Sequence, residues 1–145
     1  MPNPEIVSIC YHWTAGSLPP PGYYEYTIVI SATGAVLDFL PDYSQHFPPR
    51  WVECFPVPAG TLAALTDRLL PLREQPPVPA VESPPAVGGA SEYLEFVLAD
   101  QSREILSAPA NQLQLAYAAV RAKVPHLIWK QVFARRDAYM DDPNP

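Results

Sequence analysis

The chain has 145 residues, 48% of them hydrophobic and 17% charged, with a formal net charge of −6. A chain of this size buries about two thirds of its unfolded surface as one globular domain, and its low charge excludes disorder for most of its length. It contains no run of about 18 apolar residues, so no membrane-spanning helix and no membrane partner are expected.

The charge is unevenly spread. Residues 1–110 carry 12 acidic and 4 basic side chains, while residues 111–145 carry 5 basic and 3 acidic. An acidic body repels phosphate backbones, so nucleic acid is not an expected partner. Arg121, Lys123, Lys130, Arg135 and Arg136 read as a solvated helix face, because cations suit the last turns of helices. The first residues, Met-Pro-Asn-Pro-Glu, show neither a basic start nor an apolar core, so a cytoplasmic protein is expected.

In chain order, residues 6–13 alternate as a strand, with Val7, Ile9, Tyr11 and Trp13 on one face. A loop through Pro19-Pro20-Pro21 follows, since three prolines cannot donate to a ladder. Residues 23–31 form the strongest strand. Tyr24, Tyr26, Ile28 and Ile30 make one face; Tyr23, Glu25, Thr27 and Val29 make the other. Ala32-Thr33-Gly34 turns the chain into a returning strand over residues 35–40. A loop bounded by Pro41 and Pro48-Pro49 leads to a fourth strand over residues 51–57, which Pro56 either places at an edge or ends early.

Leu62, Leu65, Leu69 and Leu72 then fall on one stripe of an amphipathic helix, weakened at its last turn by Pro71. Six prolines lie between Pro71 and Pro85, so residues 73–91 read as an extended connector, with residues 75–87 mobile and open to proteases. Beyond it, residues 92–99 form a strand with Leu94, Phe96 and Leu98 inward and Tyr93, Glu95 and Val97 on a wet side. Asp100-Gln101-Ser102 turns into a strand over residues 103–107, and Asn111 suits the N-cap of a helix carrying Leu113, Ala116, Tyr117, Val120 and Val124. Pro125 opens a last helix with the stripe Trp129, Val132, Phe133, Arg136 and Met140.

Chemistry is sparse on this frame. Cys10 and Cys54 lie in different strands and are expected as buried free thiols. Cys10 and His12 share a strand face, yet neither His46 nor Cys54 stands at a metal-site spacing, so no metal is expected. No nucleophile elbow, phosphate-binding glycine loop or zinc-protease motif is present. Asp38, Asp42 and Glu53 converge at best as solvated carboxylates where the third and fourth strands meet. No catalytic residue and no cofactor are expected, and the chain is not expected to be an enzyme.

Aromatic placement stands out instead. Tyr11, Trp13, Tyr23, Tyr24, Tyr26 and Trp51 gather in the first half, and tyrosine and tryptophan are the anchors that interfaces enrich. Tyr11, Trp13, Tyr23 and Trp51 are the candidate partner-binding residues, the alternative being that they fill the core.

The segment Gly22-Tyr23-Tyr24-Glu25-Tyr26-Thr27-Ile28, the turn at Gly34, the leucine helix and Gly88-Gly89-Ala90-Ser91-Glu92-Tyr93-Leu94 resemble a group of small bacterial proteins. Their layout is similar to that of the emfourin-type inhibitors of thermolysin-like metalloproteases. The resemblance implies an architecture and no inhibitory residue; the loop over residues 45–50 and the Val124–Trp129 stretch fall outside it.

The expected fold is α+β, a mainly antiparallel sheet of about six strands with two or three helices on one face. The chain reads as a single domain over residues 1–145, made of strand–helix units 6–72 and 92–140. The expected function is binding of another protein, as an inhibitor, immunity protein or adaptor. The alternative is a small-molecule binder or enzyme with a pocket between sheet and helices.

Overall fold

The computed structural model describes residues 5–14, 24–41, 50–73 and 91–141. Six strands and three helices follow one another as β1 (Ile6–Thr14), β2 (Glu25–Ser31), β3 (Gly34–Leu40), β4 (Trp51–Phe55), α1 (Thr61–Arg73), β5 (Ser91–Leu98), β6 (Arg103–Ile105), α2 (Ala110–Arg121) and α3 (His126–Asp141). The strands form one open antiparallel sheet in the order β4-β3-β2-β1-β5-β6. This is the α+β architecture the element pattern implies. The second half of the chain adds β5 beside β1, so both halves share one sheet. The proline-rich connector, Tyr23, Asp42 and His46 lie outside the described residues.

Alternation along each strand sorts the side chains into two faces. Ile9, Tyr11, Tyr26, Ile28, Ile30, Leu37, Phe39, Leu94 and Phe96 are buried on the inner face, against the helices. From α1 come Leu65 and Leu69, from α2 Ala116, Tyr117 and Val120, and from α3 Val132, all in the same core cluster. Pro71 sits inside the last turn of α1 without ending it. At the entry of α1, Thr61 is buried, and its hydroxyl donates to the Pro58 carbonyl at 2.7 Å.

Aromatic rings fill the seam between the sheet and α3. Trp129 meets Tyr26, Phe133 meets both Tyr24 and Phe39, and Tyr139 meets Trp51, each at ring-centroid distances of 5.0–6.0 Å. Arginines close the rim of this seam, with Arg135 over the Trp51 ring and Arg136 over Tyr24. The basic residues of the C-terminal region are therefore partly packing groups, and not only a solvated face.

Four local expectations need correction. Val7 is 40% exposed instead of buried, because a bulge between Ile6 and Ser8 in the β1–β5 pair turns it outward. Cys54 is exposed, since it faces away from the helices on edge strand β4; Cys10 alone is buried. Asn111 lies inside α2, whose N-cap is Pro109 with no side-chain cap; the Pro109 carbonyl accepts from the amides of Gln112 and Leu113. Glu95 is buried instead of wet, for reasons that belong to the site below.

Two turns take unusual backbone angles. Between β2 and β3, Gly34 has φ +156°, while Ala32 and Thr33 both keep negative φ. Between β5 and β6, Gln101 has φ 72°, a left-handed conformation that costs a side chain about 1 kcal/mol. The preceding Asp100 carboxylate accepts from the Ser102 amide and hydroxyl, which fixes the turn and holds the Asp100 carboxyl below its ordinary range.

Both edge strands carry a glutamate on the inner face. Glu53 of β4 stands opposite Leu37, and Glu104 of β6 stands opposite Phe96.

Candidate functional site

The pairings put the outer-face residues into rows that cross the sheet. One row runs Ile105, Glu95, Cys10, Val29, Val36, Cys54; the next runs Tyr93, His12, Thr27, Asp38, Val52. No described helix packs on this face, so its chemistry is set by cross-strand neighbours.

A connected polar cluster occupies the middle of these rows. The His12 ring places Nδ1 3.0 Å from Thr27 Oγ1 and Nε2 3.1 Å from Glu95 Oε1. Arg103 reaches back across the hairpin and donates from Nη1 to the same Glu95 oxygen at 2.6 Å. Tyr93 stacks on the His12 ring with centroids 4.4 Å apart and planes 22° from parallel. These partners explain how Glu95 stays 7% exposed on a face with no helix over it: a desolvated carboxylate persists where donors satisfy it.

The cluster acts on its neighbours. Burial pushes the Cys10 thiol above its ordinary 9.0, and the Glu95 charge pushes it further, which favours the thiol over the thiolate. Burial likewise raises Tyr93, with Glu95 adding to it. Arg103 gains from the Glu95 bond and is held further in its charged form.

Two hollows lie on the sheet, and neither is lined by a residue of the cluster. On the outer face, an open depression of about 450 Å³ is lined by Val29, Ser31, Val36, Cys54 and Pro56 among others. At the end of the sheet a cleft of about 320 Å³ lies between Ile6, Ser31 and Ala32 on one side and Thr61, Leu62, Thr66 and Asp67 of α1 on the other.

The aromatic candidates are placed differently from a binding surface. Tyr11 is fully buried and Trp51 is 7% exposed, so both are core residues and neither offers a face to a partner. Tyr11 packs on Tyr117 of α2 and donates its hydroxyl to Glu92, which also accepts from Gln114 at 3.0 Å. Burial and that bond drive the Tyr11 phenol far above its ordinary 10.0. Trp13 is half-buried against Tyr24 and Tyr26. Tyr23 lies outside the described residues.

The other chemical candidates separate. Cys10 and His12 do share a face, but Cys54 stands three strands away. Asp38 faces outward and pairs with Arg50 at 2.7 Å, whereas Glu53 faces inward, so these carboxylates do not converge. Among the described residues no three His, Cys, Asp or Glu side chains are grouped to hold a metal ion.

Sequence reasoning missed Thr27, Tyr93, Glu95 and Arg103. The signal was present: Tyr93 and Glu95 alternate on one face of β5, opposite a strand bearing Cys10 and His12. What hid it was the pairing of β5 with β1, a long-range choice no local pattern encodes.

No protein-family model, curated protein or solved structure matches this chain. Among the described residues no helix is long and apolar enough to cross a membrane.

Proposed function

We propose that the chain is a non-enzymatic protein-binding module, of inhibitor, immunity or adaptor type, that meets its partner through the outer sheet face at β5 and β6. The observation that carries this reading is that Tyr93 and Arg103 are exposed and yet held. Tyr93 is 41% exposed and stacked on His12; the Arg103 side chain is 59% exposed and tied to buried Glu95. Ile105, 61% exposed, stands beside them as the register partner of Glu95. Tyrosine and arginine anchors fixed before contact lose little rotamer freedom on binding, which favours affinity.

The test is a photo-crosslinking amino acid placed at Tyr93 and, as a control, at Leu115 on exposed α2. A discrete adduct from Tyr93 alone, lost on Arg103→Glu, supports the reading. Equal adducts from both positions, or none, overturn it.

The α1 cleft favours a second reading, a small-molecule site between sheet and helix. Its roughly 320 Å³ is at the small end for a ligand pocket. A compound that raises the melting temperature of the native chain but not of Thr66→Trp, which fills the cleft, would support that alternative.

A further inference from the structure

The polar cluster has a direction, and it ends on one hydroxyl. An ionised carboxylate only accepts hydrogen bonds, so Glu95 selects the His12 tautomer that carries its proton on Nε2. In that tautomer Nδ1 is bare, and the Thr27 hydroxyl 3.0 Å away donates to it. Arg103 donates to the same Glu95 oxygen and holds the carboxylate in place. A hydroxyl, an imidazole base and an orienting carboxylate in this order are the parts that activate an oxygen nucleophile.

We propose that Thr27 is a covalent acyl-acceptor site for activated short-chain carboxylic esters and thioesters. Thr27 Oγ1 attacks the acyl carbon while its proton passes to His12 Nδ1. The bond from the acyl carbon to the aryloxide or thiolate breaks, and that group leaves with the electron pair. The imidazolium, stabilised by Glu95, returns its proton to the leaving group. The product is a threonine ester and a free phenol or thiol. The acyl chain has a seat, since Val29 continues the Thr27 face of β2 and opens the depression walled by Val36 and Cys54. Asp38, the register partner of Thr27, is offset by Arg50, so its charge does not stand uncompensated beside the developing oxyanion.

The same geometry makes this a modification site instead of a turnover centre. β2 lies between β1 and β3, so its backbone amides are committed to ladders and supply no oxyanion hole. Only a good leaving group is displaced, and the resulting alkyl ester persists. The proposal is independent of partner binding at Tyr93, whose crosslinking does not use the Thr27 hydroxyl.

The test treats the full-length chain, as Cys54→Ser to remove the exposed thiol, with p-nitrophenyl acetate and maps adducts by peptide mass spectrometry. One acetyl group on Thr27 is expected. Thr27→Val abolishes it, Thr27→Ser keeps it, and His12→Gln slows it about a hundredfold, the scale of a lost general base. Circular dichroism checks that each variant is folded; urea-unfolded chain should lose the selectivity. Acetyl groups on lysines alone, or Thr27 labelling unchanged by His12→Gln or by unfolding, would overturn the proposal.

Discussion

Trp129 of α3 stands edge-on to Tyr26 of β2, with ring centroids 5.0 Å apart. This contact docks the C-terminal helix on the middle of the sheet, and Val132 in the next turn is 2% exposed. A helix of 16 residues has little stability alone, so its order derives from this seam. Tyr26→Ala should cost about 3 kcal/mol, the scale of a truncated core aromatic. Leu115→Ala, at a 64% exposed position, should cost under about 0.5 kcal/mol. Urea denaturation of both variants checks the ranking, and equal losses would place Tyr26 outside the core.

The buried phenols set an alkaline limit. Burial raises Tyr11, Tyr24, Tyr26 and Tyr117 above their ordinary 10.0, and Cys10 above 9.0. The folded state thus holds these protons more tightly than the unfolded state. Their contribution is whole below pH 9 and is lost as pH rises past 9 to 10, where the unfolded chain ionises first. The expected result is tyrosinate absorbance that grows in step with loss of near-ultraviolet dichroism. Full tyrosine ionisation in a still-folded chain would contradict the burial.

Cys10 and Cys54 end one segment of a cross-strand row and are three strand spacings apart, about 14 Å. A disulfide needs Cα atoms within about 7 Å, so oxidation cannot join them without unfolding. A thiol reagent at neutral pH should modify Cys54 quickly and Cys10 only in denaturant. Intact mass without reductant should show both hydrogens retained.

Gln101 is the described non-glycine residue with positive φ, so its replacement reads the strain of the β5–β6 turn directly. Gln101→Gly should stabilise the chain by about 0.5 kcal/mol, the left-handed relief exceeding glycine's added unfolded-state entropy. A lower denaturation midpoint would mean that the Asp100–Ser102 bonds already remove the strain.

The fold was legible because strand alternation is strong where one face is buried. In β2, Tyr26, Ile28 and Ile30 alternate with Glu25, Thr27 and Val29, and the structure keeps those faces. Local patterning failed where a single residue broke the period, as at the Val7 bulge, or where an element was capped without a side chain, as at Pro109. The site was less legible for a different reason. Tyr11 and Trp51 looked like interface anchors because their rings are large, but register aims them at the helices. Glu95 looked solvent-facing because its partners, His12 and Arg103, are 83 and 8 residues away.

Glu53 and Glu104 give the sheet a terminus at each end. A second copy adding its own β4 or β6 in antiparallel register would set carboxylate against carboxylate and draw both toward an apolar layer. Lateral growth is thereby discouraged by charge at both edges of the sheet. Such a chain keeps the hydrogen-bonding edges of its sheet from templating the strands of another copy.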